Sequence, residues 1–247
     1  MRNHFSPKKK APEAPAPTIQ TDGSASAFEQ YDLMAPICKP TLIEPWRVFR
    51  IMAEFVDGFE LLRKYGLAAS FFGTARCHLD DEIYKQSEDL AARLAKAGFT
   101  IITGGASGVM EAANKGAHSA DGQSVGLNIR LPNEQGNNQY LSDHAEFHHF
   151  FVRKVMLSFA SEVYIFFPGG FGTLDEFFEI LTLVQTKKIK SVPIILMGKE
   201  YWEPLLGFIE TTLYTRFNSI DKEDMKIYHL ANSVEEAYEL SVKLARC

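Results

Sequence analysis

The sequence predicts an α/β domain with a mostly parallel sheet and helices on both of its faces. Three observations lead there. Short apolar runs alternate with longer segments of helical periodicity. The runs carry almost no charge, as strands covered on both faces do. Three runs end in small, glycine-bearing turns: Gly73-Thr74, Gly104 to Gly108, and Pro168 to Thr173.

A chain of 247 residues suits one such domain with appendages. Hydrophobic residues make up 46% and charged residues 23%, enough to build one sizeable core. The net charge of −5 speaks against a nucleic-acid binder, but leaves room for a local basic pocket. Cys38, Cys77 and Cys247 are widely spaced and form no CxxC, so neither a disulfide framework nor a metal site is expected. No apolar run is long enough for a membrane span. Lys8, Lys9 and Lys10 are not followed by the apolar core of a secretory signal. The expectation is a cytoplasmic protein without membrane, metal or cofactor.

Taken in chain order, residues 1–40 are rich in Pro, Ala and charge, and predict a disordered tail ahead of a single domain over 41–247. Residues 44–64 predict an amphipathic helix whose apolar stripe is Trp46, Phe49, Met52, Ala53, Val56, Phe59 and Leu61 or Leu62. That stripe is expected to pack on the domain or across a homodimer or higher homo-oligomer interface. Leu67–Phe72 is a strand, Asp81–Ala97 a helix stopped by Gly98, and Phe99–Thr103 a strand. Val109–His118 is a helix and Ser124–Ile129 a strand. Phe147–Phe151 reads as a short strand leading into a helix over Val152–Ala160. Glu162–Phe167 is a strand, followed by a helix from Thr173 to about Thr186. Val192–Met197 is a strand, and helices over Trp202–Leu213 and Val234–Ala245 close the chain. The result is a Rossmann-like, doubly wound sheet in a single domain.

In such a sheet, ligands bind beyond the carboxyl ends of the strands, where the strand order reverses. Glycines let backbone N–H groups approach an anion, and a helix N-terminus adds a favourable dipole. The three turns therefore predict a phosphate or nucleotide site, against the alternative that the glycines merely make tight turns. The sequence has no G-x-x-x-x-G-K-[ST] and no strand–G-x-G-x-x-G–helix unit, which speaks against a P-loop or an ordinary dinucleotide site. Glu176 lies three residues after Thr173, so it reads either as half of a capping box or as a carboxylate beside the bound group. Asp175 and Glu179 stand close by. Arg153-Lys154 opens a helix, where cations oppose the dipole, and reads as a surface pair or as a partner for a carboxylate or phosphate. His144, His148 and His149 cluster without metal-ligand spacing.

Pro168-Gly-Gly-Phe-Gly-Thr-Leu-Asp-Glu176 resembles the PGGxGTxxE signature of the LONELY GUY (LOG) family, long labelled possible lysine decarboxylase. Phe151-Val-Arg153-Lys154-Val-Met-Leu157 is similar to that family's Arg-Lys motif, with Phe150 and Leu157 in place of frequent Met residues. Gly104-Gly-Ala-Ser-Gly-Val-Met-Glu-Ala-Ala-Asn-Lys-Gly116 resembles the branch carrying GIMEAANxGA. The resemblance implies hydrolysis of a nucleoside 5′-monophosphate, AMP-like or a cytokinin ribotide, to free base and ribose 5-phosphate. It implies catalytic roles for Glu176 and Arg153. It places Gly169, Gly170, Gly172 and Thr173 on the phosphate, with Gly105, Ser107 and Lys154 also in the substrate site. A non-catalytic nucleotide-binding protein on the same fold is the competing reading. Pyridoxal phosphate chemistry would need a Schiff-base lysine and a partner for the pyridine nitrogen.

Overall fold

The computed structural model describes residues 45–130 and 136–245. The expected tail over residues 1–40 lies outside them, as do Cys38 and Cys247. The elements are α1 (Arg47–Leu62), β1 (Ala68–Phe72), α2 (Glu82–Lys96), β2 (Thr100–Thr103), α3 (Val109–Ser119), β3 (Ser124–Ile129) and β4 (Asp143–Phe147). They continue with α4 (Phe150–Ser158), β5 (Val163–Phe166), α5 (Phe171–Gln185), β6 (Ile194–Met197), α6 (Lys199–Phe208), β7 (Tyr228–Ala231) and α7 (Val234–Leu244).

The seven strands form one sheet in the order β4-β3-β2-β1-β5-β6-β7, and every neighbouring pair is parallel. This is the doubly wound architecture the sequence predicts. The chain winds outward from β1 to β4, then returns to the other side of β1 to lay down β5. The strand order therefore reverses between β1 and β5, where a ligand crevice opens. Register puts Phe71 beside Thr103 and Phe72 beside Phe166. The turns after β2, β1 and β5 thus leave the sheet side by side.

Alternation along β1 builds a core on each face. Ala68 and Phe72 join Leu61, Leu62, Val152, Met156, Phe177, Ile180 and Trp202 on one face. Ala69 and Phe71 join Leu90, Leu94, Val109, Ala113 and Ala237 on the other. Helices α1, α4, α5 and α6 cover the first face, and α2, α3 and α7 the second.

Four elements differ from expectation. The strand read at Phe147–Phe151 is β4, which ends at Phe147; the chain is already helical from Phe150. Helix α5 starts at Phe171, two residues ahead of Thr173. The helix read at Trp202–Leu213 begins at Lys199 and passes into a π-helical turn over Ile209–Arg216. The sheet also gains β7, which the sequence reading left out. Helix α1 forms, but of its predicted stripe only the leucine end packs: Leu61 and Leu62 are buried, with Gly58, while Trp46, Phe49, Met52, Val56 and Phe59 stay exposed.

Candidate active site

A cleft of about 860 Å³ opens at the reversal point between β1 and β5. Its floor is the turn after β5 together with the start of α5. Thr74 N–H donates to Pro168 O at 3.0 Å, which holds the β1 turn against the β5 turn. Tyr201 Oη donates to Gly169 O at 2.8 Å and fixes the loop from the α6 side. A methyl group on Gly169 would meet both Thr173 Oγ1 and the backbone of Gly73, so only glycine lets the two turns close together.

Helix α5 has Gly170 as its N-cap, and no side chain caps it. Leu174 N, which bonds Gly170 O at 3.1 Å, is the first amide to point back into the helix. The N–H groups of Phe171, Gly172 and Thr173 are left as the donors that a helix start offers to an anion. Gly169, Gly170, Gly172 and Thr173 all line the cleft. The capping box read from Thr173 and Glu176 does not form, because the helix starts earlier and puts Glu176 in its second turn.

Glu176 lies on the inner stripe of α5 with Thr173, Phe177, Ile180 and Val184. Phe177 anchors that stripe between Phe166, Trp202 and Tyr228. Glu176 is only 5% exposed, yet it lines the cleft, and its Oε2 has no hydrogen-bond partner among the described residues. Burial, the largest effect, pushes its carboxyl from the ordinary 4.5 up to about 7. The cations of Arg153 and then Lys154 pull it down, and Asp175 pushes it up. A buried carboxylate with a free oxygen, poised near neutrality beside a cleft, is equipped to handle a proton or face a developing cation.

Arg153 reaches the cleft from α4. Its Nε donates to Leu127 O at 2.7 Å, and its guanidinium lies against Gly104, where a methyl group would collide with Nη2. Helix α4 is itself tied to α1. Glu54 accepts the backbone N–H groups of His148 and His149 at 3.2 and 3.1 Å, and lies 3.0 Å from His149 Nδ1. This gives two members of the histidine cluster a structural place.

Three expected residues stand elsewhere. Lys154 points at α5, with Nζ 2.6 Å from Asp175 Oδ2 and 2.9 Å from Glu179 Oε2; the latter is a charge contact rather than an aligned hydrogen bond. It joins α4 to α5 and does not line the cleft. Gly105, at φ +73°, packs against Asn128 and donates its N–H to Thr103 Oγ1 at 2.8 Å. Ser107 Oγ donates to Ala75 O at 2.9 Å and braces the β1 turn. The cleft adds Arg76, Met110 and Tyr201, which the sequence reading did not select, beside Gly104 and Phe171 from two of the turns it did. One signal was available for the burial of Glu176, since it falls at helical spacing among apolar positions that must face the core.

The family described as "Possible lysine decarboxylase" matches residues 110–240, just over half of the chain. A relative from Oryza sativa subsp. japonica, named "Probable cytokinin riboside 5'-monophosphate phosphoribohydrolase LOGL5", is 31% identical over 53% of this chain and 54% of its own length. A cytokinin riboside 5'-monophosphate phosphoribohydrolase of Rhodococcoides fascians is 28% identical over 50% of this chain and 64% of its own. The chain thus spans between half and two thirds of the length of these two relatives. One of the same name from Arabidopsis thaliana is 27% identical over 70% of this chain and 72% of its own. Among solved structures, the molybdenum cofactor carrier protein of Chlamydomonas reinhardtii superimposes with a TM-score of 0.55 at 20% identity, covering 72% of this chain and 97% of that one. The molybdenum cofactor binding protein of Rippkaea orientalis gives the same TM-score at 21% identity, covering 74% and 98%. Likeness at this level concerns the fold alone. No helix among the described residues is long and apolar enough to cross a membrane.

Proposed function

This chain belongs to the family described as "Possible lysine decarboxylase", the LOG family, and from that premise we propose that it hydrolyses a purine nucleoside 5′-monophosphate to free base and ribose 5-phosphate. The observation that carries this reading is Glu176: a buried carboxylate with a partnerless oxygen, one helical turn past a backbone anion cradle. The 5′-phosphate sits on the N–H groups of Phe171, Gly172 and Thr173, and that contact orients the sugar. Breaking the N-glycosidic bond leaves positive charge on the ribose at C1′. The Glu176 carboxylate stabilises that charge and aligns the attacking water. The water's hydroxyl bonds to C1′, and its remaining proton ends on the departing base nitrogen. Arg153 stays protonated throughout, so it acts by its charge and by holding Glu176, not as a proton donor.

The decarboxylase label has little support in the cleft, because no lysine among the described residues lines it. A reaction that needs a Schiff-base lysine has no starting point there. The exposed α1 face formed by Trp46, Phe49, Met52, Val56 and Phe59 supports self-association as a homodimer or higher homo-oligomer.

The test is incubation with AMP and with isopentenyladenosine 5′-monophosphate, followed by chromatography for free base. Release of base from at least one of the two is the expected result. Clear nucleotide binding with no base released from a broader panel assigns the protein to nucleotide binding without catalysis.

Gly104 supplies a further check. It has no positive φ, and a methyl group there meets the Arg153 guanidinium and Met110 Sδ rather than any backbone. Gly104→Ala should leave the melting temperature near that of the wild type. It should lower base release by about tenfold or more, since Arg153 must leave its place. Unchanged turnover would mean that the position of Arg153 does not matter.

A further inference from the structure

The anion cradle is short of positive charge. A helix N-terminus offers about half a unit of charge. A phosphomonoester at neutral pH carries about −1.5 to −2. The two cations on α4 do not make up the difference. Lys154 is held by Asp175 and Glu179 outside the cleft. Arg153 is bound through Nε to Leu127 O and serves Glu176, whose carboxyl its charge lowers. Asp175 and Glu176 both line the cleft, so the positive charge of Lys154 and Arg153 is already offset by carboxylates and leaves no surplus for a phosphate. A dianion entering this space needs one more cation.

Arg76 also lines the cleft, from the β1 turn. Its side chain is exposed, and its guanidinium has no hydrogen-bond or ion-pair partner among the described residues. Its backbone is firmly held. Arg76 N–H donates to Thr74 Oγ1 at 3.1 Å, and Thr74 N–H to Pro168 O at 3.0 Å. Thr74 O accepts from Val109 N at 2.9 Å, and Ala75 O accepts from Ser107 Oγ at 2.9 Å. A long unpaired cation thus stands on a rigid base that is bonded to the anion loop itself. Guanidinium presents a planar fork of donors that matches two phosphate oxygens at once.

We infer that Arg76 closes over the 5′-phosphate opposite the start of α5 and makes the site selective for phosphomonoesters over uncharged nucleosides. This rests on reading the cleft as a nucleoside 5′-monophosphate site. Arg76 is a binding residue there, remote from the bond that breaks.

The test is titration calorimetry with ribose 5-phosphate and with AMP on wild-type protein, Arg76→Ala and Arg76→Lys, at low and high salt. Arg76→Ala should weaken both ligands by about ten- to a hundredfold. It should also flatten the salt dependence, while the melting temperature stays unchanged. Arg76→Lys should recover part of the affinity, since it keeps the charge and loses the fork. Wild-type affinity for ribose 5-phosphate in Arg76→Ala overturns the inference, as does failure of the wild-type protein to bind it. Adenine release from AMP is scored separately. If AMP binds through Arg76 and no adenine appears, the hydrolytic reading fails and the phosphate assignment stands.

Discussion

Glu176→Gln should lower base release by at least about a thousandfold while leaving nucleotide affinity within a few-fold of wild type. Glutamine keeps the shape and the buried volume but can neither face a developing cation as an anion nor take a proton. Losses of this size follow when a group acting at the reacting centre is neutralised. The wild-type pH profile carries the same signature. The carboxyl sits at about 7, raised chiefly by burial, and the working form is the carboxylate. Base release should therefore fall as pH drops through about 7, and the acid limb should vanish in the glutamine variant. Stability runs the other way. A carboxyl raised from 4.5 to about 7 favours the folded state least when ionised. At roughly 1.4 kcal/mol per pH unit, the ionised form costs the folded protein about 3 kcal/mol above pH 7 and nothing below pH 4.5. Glu176→Gln should raise the melting temperature at pH 8 and leave it unchanged at pH 4.5. A destabilised variant at pH 8 would show that Glu176 serves as a structural ion.

Arg153→Ala should lower base release by about a hundredfold or more and move the acid limb to higher pH. Arg153 holds the Glu176 carboxyl down by its charge, so removing the charge raises it further and requires a higher pH to ionise it. Arg153→Lys should recover little of the rate. Lysine restores a charge but cannot donate from the Nε position to Leu127 O while its head faces Glu176. It should nevertheless bring the acid limb back toward the wild-type position. That split between rate and pH profile separates a positioned guanidinium from a cation of general use. An acid limb unmoved in Arg153→Ala would break the link between the two residues.

The strands β1, β2, β3, β5 and β6 were legible in the sequence, because strands covered on both faces must be apolar throughout. Strand β4 was read too late. It is an edge strand, Asp143-His-Ala-Glu-Phe147, in which His144 and Glu146 are exposed and Asp143 half-buried, and these polar positions break the apolar signal. The aromatic residues after it resemble strand but belong to the first turn of α4. Strand β7 is another short edge, three of its four residues half-buried, and left no run long enough to notice. In the site, the glycine loop, Glu176 and Arg153 were legible as motifs. The start of α5 was not, because Phe171 and Gly172 read as loop when glycine in fact opens the helix. The places of Lys154 and Ser107 depend on contacts with α5 and the β1 turn, which no local pattern encodes. The same holds for Tyr201, which reaches Gly169 across 32 positions in the chain.

The central claim is that this cleft cleaves an N-glycosidic bond with Glu176 as the working carboxylate. The most direct test follows ribose 5-phosphate and free base together during incubation with AMP, for wild-type protein and for Glu176→Gln at equal nucleotide occupancy. The two products should appear in equal amounts with the wild type and not at all with the variant. Equal rates from both proteins, or a nucleotide bound and returned intact by the wild type, would contradict the claim.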